Sequence, residues 1–527
     1  MKKILISDSV DDKCISILKS AGFEVDYKTD LSKEELANTI SDYNALIVRS
    51  STQVKPDLIE QMQNMELIGR AGAGVDNIDV KAATRKGILV MNTPGGNTIS
   101  AAEHTIALML AAARKIPQAN ISLQLKKWDR KRFQGTELFG KTLGLIGLGK
   151  IGKEVAIRSK AFGMKVISYD PLVTSESIID FDIQLVSLDK IWSNADFISV
   201  HTPLNEKTKN LISYEQISKC KTGVILINCA RGGIINESDL LKALKEGKVS
   251  AAGLDVFESE PPDFSTGLLQ HPSVVSTPHL GASTEEAQQK VAVQIAEQVI
   301  DYFKNGSSLG SVNASGLKEI TNENLKAFIK LSEKMGKLLS QIRNDSLVRL
   351  SIDFYGDIFN SNEKIISNAF LKGFLSEQLD TNVNFINAPV LADDLGIVLE
   401  ETISTEQHDY LNLIEIKMIT TTTEWKISGT VFGNDGLRIV EFNNYPVEFK
   451  PDGSILIYRN LDKPGMLSSV SSKLAASNIN IAGLSLGRNT EGDYALTIIN
   501  IDSPLSEEIK NTISEIEGIK DIFSVLI

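Results

Sequence analysis

The stretch T-L-G-L-I-G-L-G-K-I-G, residues 142–152, constrains the fold of this chain more than any other feature. A short apolar strand runs directly into Gly147, Gly149 and Gly152, and a helical pattern follows. Glycines at this spacing allow a tight turn, a close backbone approach to a pyrophosphate, and close packing of helix on strand. The free N–H groups and the dipole of the helix N-terminus favour a phosphate. We therefore predict a doubly wound α/β domain that binds a dinucleotide.

The residue that ends the next predicted strand indicates which dinucleotide is bound. That strand, K-V-I-S-Y, ends in Asp170, 18 residues after Gly152. A carboxylate at this position can accept hydrogen bonds from the ribose hydroxyls and repels a 2′-phosphate. The following P-L-V-T-S contains no arginine or lysine that would hold the extra phosphate of NADP. The sequence predicts NAD as the cofactor; the alternative is a structural glycine-rich turn without a nucleotide.

Composition excludes several other classes of function. The chain has 527 residues and a net charge of −12, which argues against a general affinity for nucleic acid or for an anionic membrane. We find no signal peptide and no apolar run long enough to span a bilayer. The three cysteines lack zinc-site spacing, so we expect no metal and a reducing compartment. The predicted location is the cytoplasm.

The pattern of predicted strands and helices changes three times along the chain, which predicts four domains in an α/β protein. Short buried strands alternate with helices in the first part, and this predicts a flavodoxin-like substrate domain followed by a Rossmann-type domain. A long helical pattern then leads back to the first domain and makes it discontinuous. An intervening α+β domain and a ferredoxin-like β-α-β-β-α-β module follow. The predicted bounds are 1–97 completed by 285–308, then 98–284, 309–450 and 451–527.

Three loops carry the candidate chemistry, and each follows a predicted strand of the second domain. They are the arginine loop N-C-A-R-G-G (228–233), the acid loop L-D-V-F-E-S-E-P-P (254–262) and the histidine loop T-P-H-L-G-A-S-T (277–284). Ligands of such sheets bind beyond the carboxyl ends of the strands, so the loops should converge. An arginine can clamp a carboxylate, and an acid beside a histidine yields a proton exchanger. This set suits hydride transfer to or from a 2-hydroxy acid.

These motifs resemble the D-2-hydroxyacid dehydrogenase family, and the resemblance extends through G-R-A-G-A-G-V-D-N-I-D (69–79), N-T-P-G-G-N-T-I-S-A-A-E (92–103) and F-Q-G-T-E-L-F-G-K-T-L-G (133–144). It implies a catalytic trio of Arg231, Glu260 and His279, with Glu258 as the competing acid. Ala73 departs from the threonine that relatives often carry, so one hydroxyl contact to the cofactor would be missing. The resemblance implies that the cofactor also meets Lys150, Ile151, Thr202, Cys229, Ala230, Asp255, Leu280, Gly281 and Ala282.

The choice of substrate depends on cationic side chains at the ends of the first-domain strands. Arg49 and Arg70 end two predicted strands and should face the cleft, and Asn97 lies in the turn before the next helix. Arg130, in W-D-R-K-R-F, is expected to reach across a dimer interface, as the resemblance suggests; the alternative is a solvated basic turn. The implied activity is oxidation of D-3-phosphoglycerate to 3-phosphohydroxypyruvate, the entry step to serine. The alternatives are another D-2-hydroxy acid, such as glycerate or 2-hydroxyglutarate, and an NAD-sensing interaction scaffold.

The last domain resembles an ACT domain, a small module that binds amino acids between subunits. Its loop R-N-L-D-K-P-G-M-L (459–467) and the later N-I-N-I-A-G-L (478–484) carry the resemblance. By motif position, Asn460, Asp462 and Asn480 would contact an effector, and L-serine is the expected one. The alternative is a dimerisation module without a ligand. The resemblance also implies a homo-oligomer, either a dimer or a tetramer.

Overall fold

The computed structural model describes residues 1–174, 176–314, 323–404, 406, 408–489 and 494–527. Its first sheet contains five parallel strands in the order β2-β1-β3-β4-β5, the flavodoxin-like arrangement that the sequence predicts. Polar residues follow the strands at their carboxyl ends, which form one edge of the sheet. The elements are β1 Lys3–Ile6, α1 Asp12–Ser20, β2 Glu24–Tyr27, α2 Lys33–Thr39, β3 Ala45–Val48, α3 Pro56–Glu60, β4 Leu67–Arg70, α4 Val80–Arg85 and β5 Leu89–Asn92.

The second sheet contains seven strands that are parallel throughout. The elements are α5 Thr98–Arg114, α6 Ile116–Gln124, β6 Thr142–Ile146, α7 Lys150–Ala161, β7 Lys165–Tyr169, β8 Gln184–Leu185, α8 Leu188–Asn194, β9 Phe197–Val200, α9 Tyr214–Lys219, β10 Val224–Asn228, α10 Glu237–Lys245, β11 Val249–Leu254 and β12 Val274–Ser276. Their order, β12-β11-β10-β9-β6-β7-β8, reverses direction between β9 and β6. A dinucleotide binds at such a switch point, so the topology confirms the Rossmann-type arrangement.

The sequence predicts an Ala-rich helix from Ile99 to about Lys115, and α5 confirms it; the second helix, α6, is not predicted. Lys115 adopts a left-handed backbone with a φ of 54°, which stops α5. Pro117 then lies in the first turn of α6, a position where its missing N–H costs no hydrogen bond. The first turns of α5 therefore lie beside the active-site loops, while α6 leads away into a more exposed arm.

The long helix α11, Glu285–Asn305, returns the chain to the first sheet. Val291, Ile295 and Val299 are buried on the same face and pack with Ile4 and Ile47. Thr284 caps the N-terminus, and Gly306 ends the helix with a φ of 71°, a conformation that glycine adopts without strain. The first domain is therefore discontinuous, as the sequence predicts.

The third sheet has six strands in the order β14-β13-β15-β16-β17-β18 and is antiparallel except for the β13–β14 pair. The sequence pattern predicts helices at 323–342 and 361–379 and a hairpin turn at G-N-D-G (433–436). Helices α12 and α13 and the turn between β16 and β17 confirm these predictions. The sequence does not foresee α14. The elements are α12 Glu323–Ile342, β13 Leu347–Tyr355, α13 Glu363–Ser376, α14 Ala388–Asp394, β14 Leu399–Ser404, β15 Leu413–Thr420, β16 Glu424–Phe432, β17 Gly436–Phe442 and β18 Tyr445–Phe449.

The last sheet has four antiparallel strands in the order β20-β21-β19-β22, which confirms the ferredoxin-like prediction. One face joins the apolar core of the intervening domain through Ile455, Ile457 and Ile498. The other face is covered by the two helices. The elements are β19 Ser454–Leu461, α15 Met466–Ala476, β20 Ile481–Arg488, β21 Tyr494–Ile501, α16 Glu507–Ser514 and β22 Ile519–Leu526.

Candidate active site

The three glycines at the junction of β6 and α7 differ in their surroundings. Gly147 has a φ of 96°, and a Cβ there would lie 2.5 Å from the carbonyl oxygen of His201. A Cβ on Gly152 would lie 2.3 Å from the carbonyl oxygen of Gly147, so this glycine permits the close packing of helix on strand. Gly149 precedes the helix, and a Cβ there would meet no atom within 4 Å. The space in front of the helix N-terminus is therefore open to a phosphate.

Asp170 and Thr202 lie on either side of this loop. The Asp170 carboxylate accepts hydrogen bonds from the N–H groups of Leu148 (2.7 Å) and Leu172 (2.9 Å), which fix it at the end of β7. The hydroxyl oxygen of Thr202 is buried and, within the described part of the chain, has no hydrogen-bond partner. A buried polar atom without a partner costs free energy unless a ligand or water supplies one. The residues present fit a dinucleotide.

Lys150 and Ile151 begin α7 and have different surroundings. The Lys150 ammonium lies 3.4 Å from the carbonyl oxygen of Pro94 and so reaches toward the first domain. The Ile151 side chain packs against the apolar cluster beneath the sheet.

Behind the glycine loop, burial lowers the pKa of His201 to about 4, so this imidazole is neutral at physiological pH.

His279 and Glu260 form the central pair of the site. The Nδ1 atom of His279 lies 2.7 Å from Oε2 of Glu260, and both side chains are roughly half exposed. Burial alone would raise the pKa of Glu260, but the hydrogen bond and the charge of His279 outweigh burial and lower it. The competing acid, Glu258, instead accepts a hydrogen bond from the N–H of Glu237 at 3.1 Å. Of the two candidate glutamates in the acid loop, Glu260 is the one that contacts the His279 side chain.

Asp255 is fully buried and holds the histidine loop in place. Its carboxylate accepts hydrogen bonds from the N–H groups of Leu280 (2.7 Å) and Gly281 (2.8 Å) and from the hydroxyl of Thr277 (2.6 Å). Burial acts to raise the pKa of Asp255, but hydrogen bonds from His104, Thr277 and Leu280 outweigh it and lower the pKa. With both oxygens engaged in this way, Asp255 organises the loop that the cofactor is predicted to meet. Ala282 follows this anchor in the chain and is partly buried.

Arg231 connects the two domains across the cleft. Its Nε donates to the carboxylate of Asp76 at 2.9 Å, and a Cβ on Gly74 would lie 2.0 Å from its guanidinium. Within its own loop, the backbone bends sharply, because Asn228 accepts from the N–H of Ala230 (3.0 Å) and donates to the carbonyl of Arg231 (2.9 Å). The guanidinium therefore bridges the arginine loop and the first domain through Asp76.

Gly232 explains how the arginine loop and the acid loop come together. A Cβ at this position would lie 1.7 Å from the carbonyl oxygen of Phe257, so no other residue fits without a backbone shift. Burial raises the pKa of the neighbouring Cys229 to about 12, which keeps this thiol protonated at neutral pH. The cysteine is thus a packing residue, and Arg231 supplies the polar chemistry of its loop.

The predicted phosphate ligands of the first domain lie close to Arg231. Arg49 donates to the carbonyl of Ser9 at 3.1 Å, and Arg70 donates to the carbonyl of Arg49 at 3.2 Å. Burial lowers the pKa of Arg70, and the charges of nearby Arg231 and Arg49 lower it further. Such mutual repulsion is relieved when an anion binds among the guanidinium groups. Arg231 and Arg49 both lie near Arg70, so three arginines from two domains form one cluster, which the acids Asp76 and Asp8 also adjoin.

The two remaining predicted substrate ligands lie in different surroundings. Asn97 precedes α5, and its buried Oδ1 has no hydrogen-bond partner among the described residues. Arg130 lies in the exposed 3₁₀ turn Arg130–Phe133 after α6, and none of the described side chains pairs with it. Asn97 therefore has a buried acceptor that is left for a ligand or a water, whereas Arg130 lies in the exposed arm after α6.

The candidate effector residues of the last domain each contact another residue of the same domain. Asn460 is buried, its Oδ1 accepts from Thr497 (2.9 Å), and its amide donates to the carbonyl of Leu461 (2.8 Å). Asp462 pairs with Arg488 at 3.0 Å. The amide of Asn480 donates to Asp502 at 2.8 Å. The structure brings Asp462 and Asn480 to the surface but directs Asn460 into the sheet.

Sequence reasoning missed several residues that support the site: Ser100, His104, Asp76, Asn228 and Thr277. They act on loops or side chains rather than on a ligand, so no motif spacing reveals them. Four of them lie within motifs or loops quoted above, and His104 directly follows one of these motifs, but the motifs do not show what each residue contacts. Their partners depend on contacts between distant segments.

Two further classes of site are absent from the described residues. They contain no group of three or more His, Cys, Asp or Glu side chains arranged to hold a metal ion. In the same residues, every helix is too short or too polar to cross a membrane.

Comparison with known proteins agrees with this geometry. Residues 106–281 match the family model of the D-isomer specific 2-hydroxyacid dehydrogenase, NAD binding domain. Residues 324–443 match the D-3-phosphoglycerate dehydrogenase intervening domain, and residues 454–518 match the ACT domain. The fold and the site thus define an NAD-binding 2-hydroxyacid dehydrogenase, which is an oxidoreductase, with a C-terminal module of a type that binds small-molecule effectors.

Full-length relatives identify the family more narrowly. A D-3-phosphoglycerate dehydrogenase of Methanocaldococcus jannaschii is 43% identical over 99% of each chain. One of Archaeoglobus fulgidus is 41% identical over 98% of this chain and 99% of the relative. An NAD⁺-bound 3-phosphoglycerate dehydrogenase structure from Entamoeba histolytica is 32% identical, with a TM-score of 0.51, and covers 59% of this chain and 98% of that one. The chain belongs to the D-3-phosphoglycerate dehydrogenase family, and NAD is its cofactor.

Proposed function

We propose that the protein oxidises D-3-phosphoglycerate to 3-phosphohydroxypyruvate with NAD, the first step of serine synthesis. One observation carries this proposal: the His279–Glu260 pair, with Nδ1 and Oε2 2.7 Å apart, belongs to the same cleft as a cluster of three arginines drawn from both domains. The pair supplies proton exchange, and the cluster suits a substrate with two anionic ends. The full-length relatives named above support the same activity.

The hydrogen bond to Glu260 sets the tautomer of His279. Glu260 has a lowered pKa and is ionised near neutral pH, so it can only accept a hydrogen bond. Nδ1 of the neutral imidazole therefore carries the hydrogen, and Nε2 has a free lone pair. We propose that Nε2 takes the proton of the C2 hydroxyl as the C–H bond breaks, and that Glu260 stabilises the imidazolium that forms. NAD, when bound, accepts the hydride.

Arg231 and the first-domain arginines have complementary roles in this scheme. Arg231 exchanges Asp76 for the substrate carboxylate and polarises the carbonyl that develops at C2. Arg49 and Arg70 hold the phosphate. Asn97 assists through Oδ1, which accepts a hydrogen bond from a bound water or from a protonated phosphate. Closure of the two domains excludes water from this charge arrangement. Glycerate lacks the phosphate, so it leaves Arg49 and Arg70 without the ligand assigned to them.

A substrate panel tests the proposal. The rate of NADH formation is measured with D-3-phosphoglycerate, D-glycerate and D-2-hydroxyglutarate at equal ionic strength. We expect kcat/KM to be at least about 100-fold higher for the phosphorylated substrate, because each lost charged hydrogen bond costs on the order of 1.5–3 kcal/mol. Equal rates with glycerate would contradict the substrate assignment. NAD binding without turnover of any 2-hydroxy acid would favour the scaffold alternative.

The remaining roles concern assembly, regulation and location. We propose that L-serine binds the ACT domain near Asp462 and Asn480, and that the exposed arm after α5, with Arg130, contributes to a homo-oligomer. The arm exposes Ile121, Leu125 and Trp128, which supports a buried position in an assembly. The four-domain division at 97/98, 284/285, 308/309 and 450/451 and a cytoplasmic location remain part of the proposal; three cysteines without a disulfide are consistent with a reducing compartment.

A further inference from the structure

Two residues one helical turn apart on α5 contact the histidine loop. The Ser100 hydroxyl donates to the carbonyl oxygen of Gly281 at 2.9 Å. The Nε2 atom of His104 lies 3.1 Å from Oδ1 of Asp255 and 2.9 Å from the hydroxyl oxygen of Thr277. Residues four apart share one face of a helix, so both contacts come from the same side of α5. This helix begins directly after the first domain.

The partners determine where the protons lie. Asp255 has a carboxylate that accepts only, and the hydroxyl of Thr277 donates to it at 2.6 Å. The oxygen of Thr277 is then an acceptor toward His104. Because both neighbours of Nε2 accept, Nε2 carries a hydrogen and shares it between them. His104 is thus a donor that completes the set of groups around the buried carboxylate.

This network holds the backbone of the catalytic histidine and of the two residues that follow it. His279 has a φ of 55°, a left-handed conformation that bulky residues adopt only when their surroundings enforce it. Its N–H donates to the carbonyl of Asp255 at 2.8 Å, and the next two N–H groups donate to the Asp255 carboxylate. The conformation of the loop therefore depends on Asp255, which in turn is held by His104.

We propose that Ser100 and His104 are positioning residues that hold His279 in its productive orientation through Asp255 and Gly281. The inference rests on the proposed role of His279 as the proton acceptor. Neither residue needs to touch the substrate, and neither is part of the nucleotide loop. Helix α5 begins where the first domain joins the second. The same contacts therefore connect the orientation of His279 to this junction.

A pair of substitutions at His104 tests this role. His104→Phe keeps the bulk but removes the donor, and His104→Gln restores a donor at similar reach. We expect His104→Phe to lower kcat on the order of 10–100-fold, the effect of a small misplacement of a catalytic group. The KM for D-3-phosphoglycerate and the Kd for NAD, measured by calorimetric titration, should change less than about threefold. His104→Gln should recover most of the loss, and the matched control His271→Phe, at a loop histidine, should not reproduce it.

The same substitution in a His279→Ala background separates this proposal from the proposed function. If His104 acts through His279, His104→Phe lowers the residual rate of that background less than about twofold. An equal fall in both backgrounds, or an altered Kd for NAD, would overturn the positioning role. Near-normal turnover of His279→Ala alone would instead refute the role of His279. If His104→Phe does not fold, Ser100→Ala is measured in the same two backgrounds, with the same expectations and the same contradicting results.

Discussion

The catalytic cleft and the candidate effector region of the ACT domain differ in how their polar residues are used. In the cleft, Arg231 and His279 come from different loops, yet each pairs with an acid from another segment. In the ACT domain, Asn460 and Asp462 are satisfied by neighbours in the same small sheet. Groups that converge from distant segments are placed for a shared ligand, whereas locally paired groups stabilise the sheet unless a ligand displaces their partners. The comparison predicts large effects of substitution in the cleft and small ones in the ACT domain.

The largest effect is expected at the proton acceptor. His279→Ala should lower kcat by about 10²–10⁴-fold, the usual contribution of general acid–base catalysis. The glycine loop and Asp170 are untouched, so the Kd for NAD should stay the same within about threefold. Steady-state rates and calorimetry measure the two quantities, with His271→Ala as the matched control. Near-normal turnover would remove His279 from the mechanism.

Asp255→Asn should have the next largest effect, on stability. The neutral amide cannot accept all the hydrogen bonds that the buried carboxylate accepts, so we expect a loss on the order of 2–4 kcal/mol in the free energy of unfolding of the catalytic part. The folded protein lowers the pKa of Asp255. Its stabilisation is therefore present above the unfolded value of about 3.9 and is lost as pH falls through the lower folded value.

Thermal unfolding at several pH values measures this difference. The melting temperatures of the wild-type and Asp255→Asn proteins should be furthest apart near neutral pH and should converge below about pH 4. Asp462→Asn, at an ion pair on the ACT surface, is the matched control and should shift the melting temperature little at any pH. A constant difference between the wild-type and Asp255→Asn proteins across the acid range would show that the carboxylate charge is not the source of the stabilisation.

Substitutions of Asp170 test the cofactor-binding part of the cleft. Asp170→Ala should weaken NAD binding about 10–100-fold, because hydrogen bonds to a charged group contribute on the order of 1.5–3 kcal/mol. Discrimination against NADP should relax as well, since the repelling carboxylate is gone. Asp170→Asn keeps an acceptor without the charge and should relax discrimination with a smaller loss of NAD affinity. If the unaltered protein already uses NADP as well as NAD, the role assigned to Asp170 is wrong.

The smallest effects are expected in the ACT domain. Asp462→Ala removes an exposed pair with Arg488, so the free energy of unfolding should change by less than about 1 kcal/mol. Calorimetric titration with L-serine then shows whether the region binds a ligand, and Asp462→Ala and Asn480→Ala should each weaken binding. A protein that neither binds serine nor changes its rate in its presence has a structural ACT domain, and the effector proposal fails.

Much of the fold follows from local patterns in the sequence. Buried strands, helix periodicity and the glycine loop predict both parallel sheets, because each signal lies within one segment. The pattern predicted the end of α5 near Lys115, but it did not predict the short helix α6 that follows. Helix α14 was not predicted either, since it is only seven residues long.

The site also contains residues that local sequence patterns predict and residues that only the folded structure reveals. Arg231, Glu260 and His279 are visible because each stands in a recognisable loop. His104 and Asp76 act through partners that are more than 150 residues away in the chain, and only the folded structure reveals such contacts. Asn460 shows the converse limit: its motif position suggests a ligand contact, whereas its side chain points into the sheet and bonds to Thr497.

A crystal structure of the complex with NAD and D-3-phosphoglycerate tests the central claim most directly. The account predicts that the phosphate lies against Arg49 and Arg70, that Arg231 releases Asp76 to bind the carboxylate, and that the C2 hydroxyl lies within hydrogen-bonding distance of Nε2 of His279. A phosphate bound away from both first-domain arginines, or a hydroxyl out of reach of His279, would contradict it.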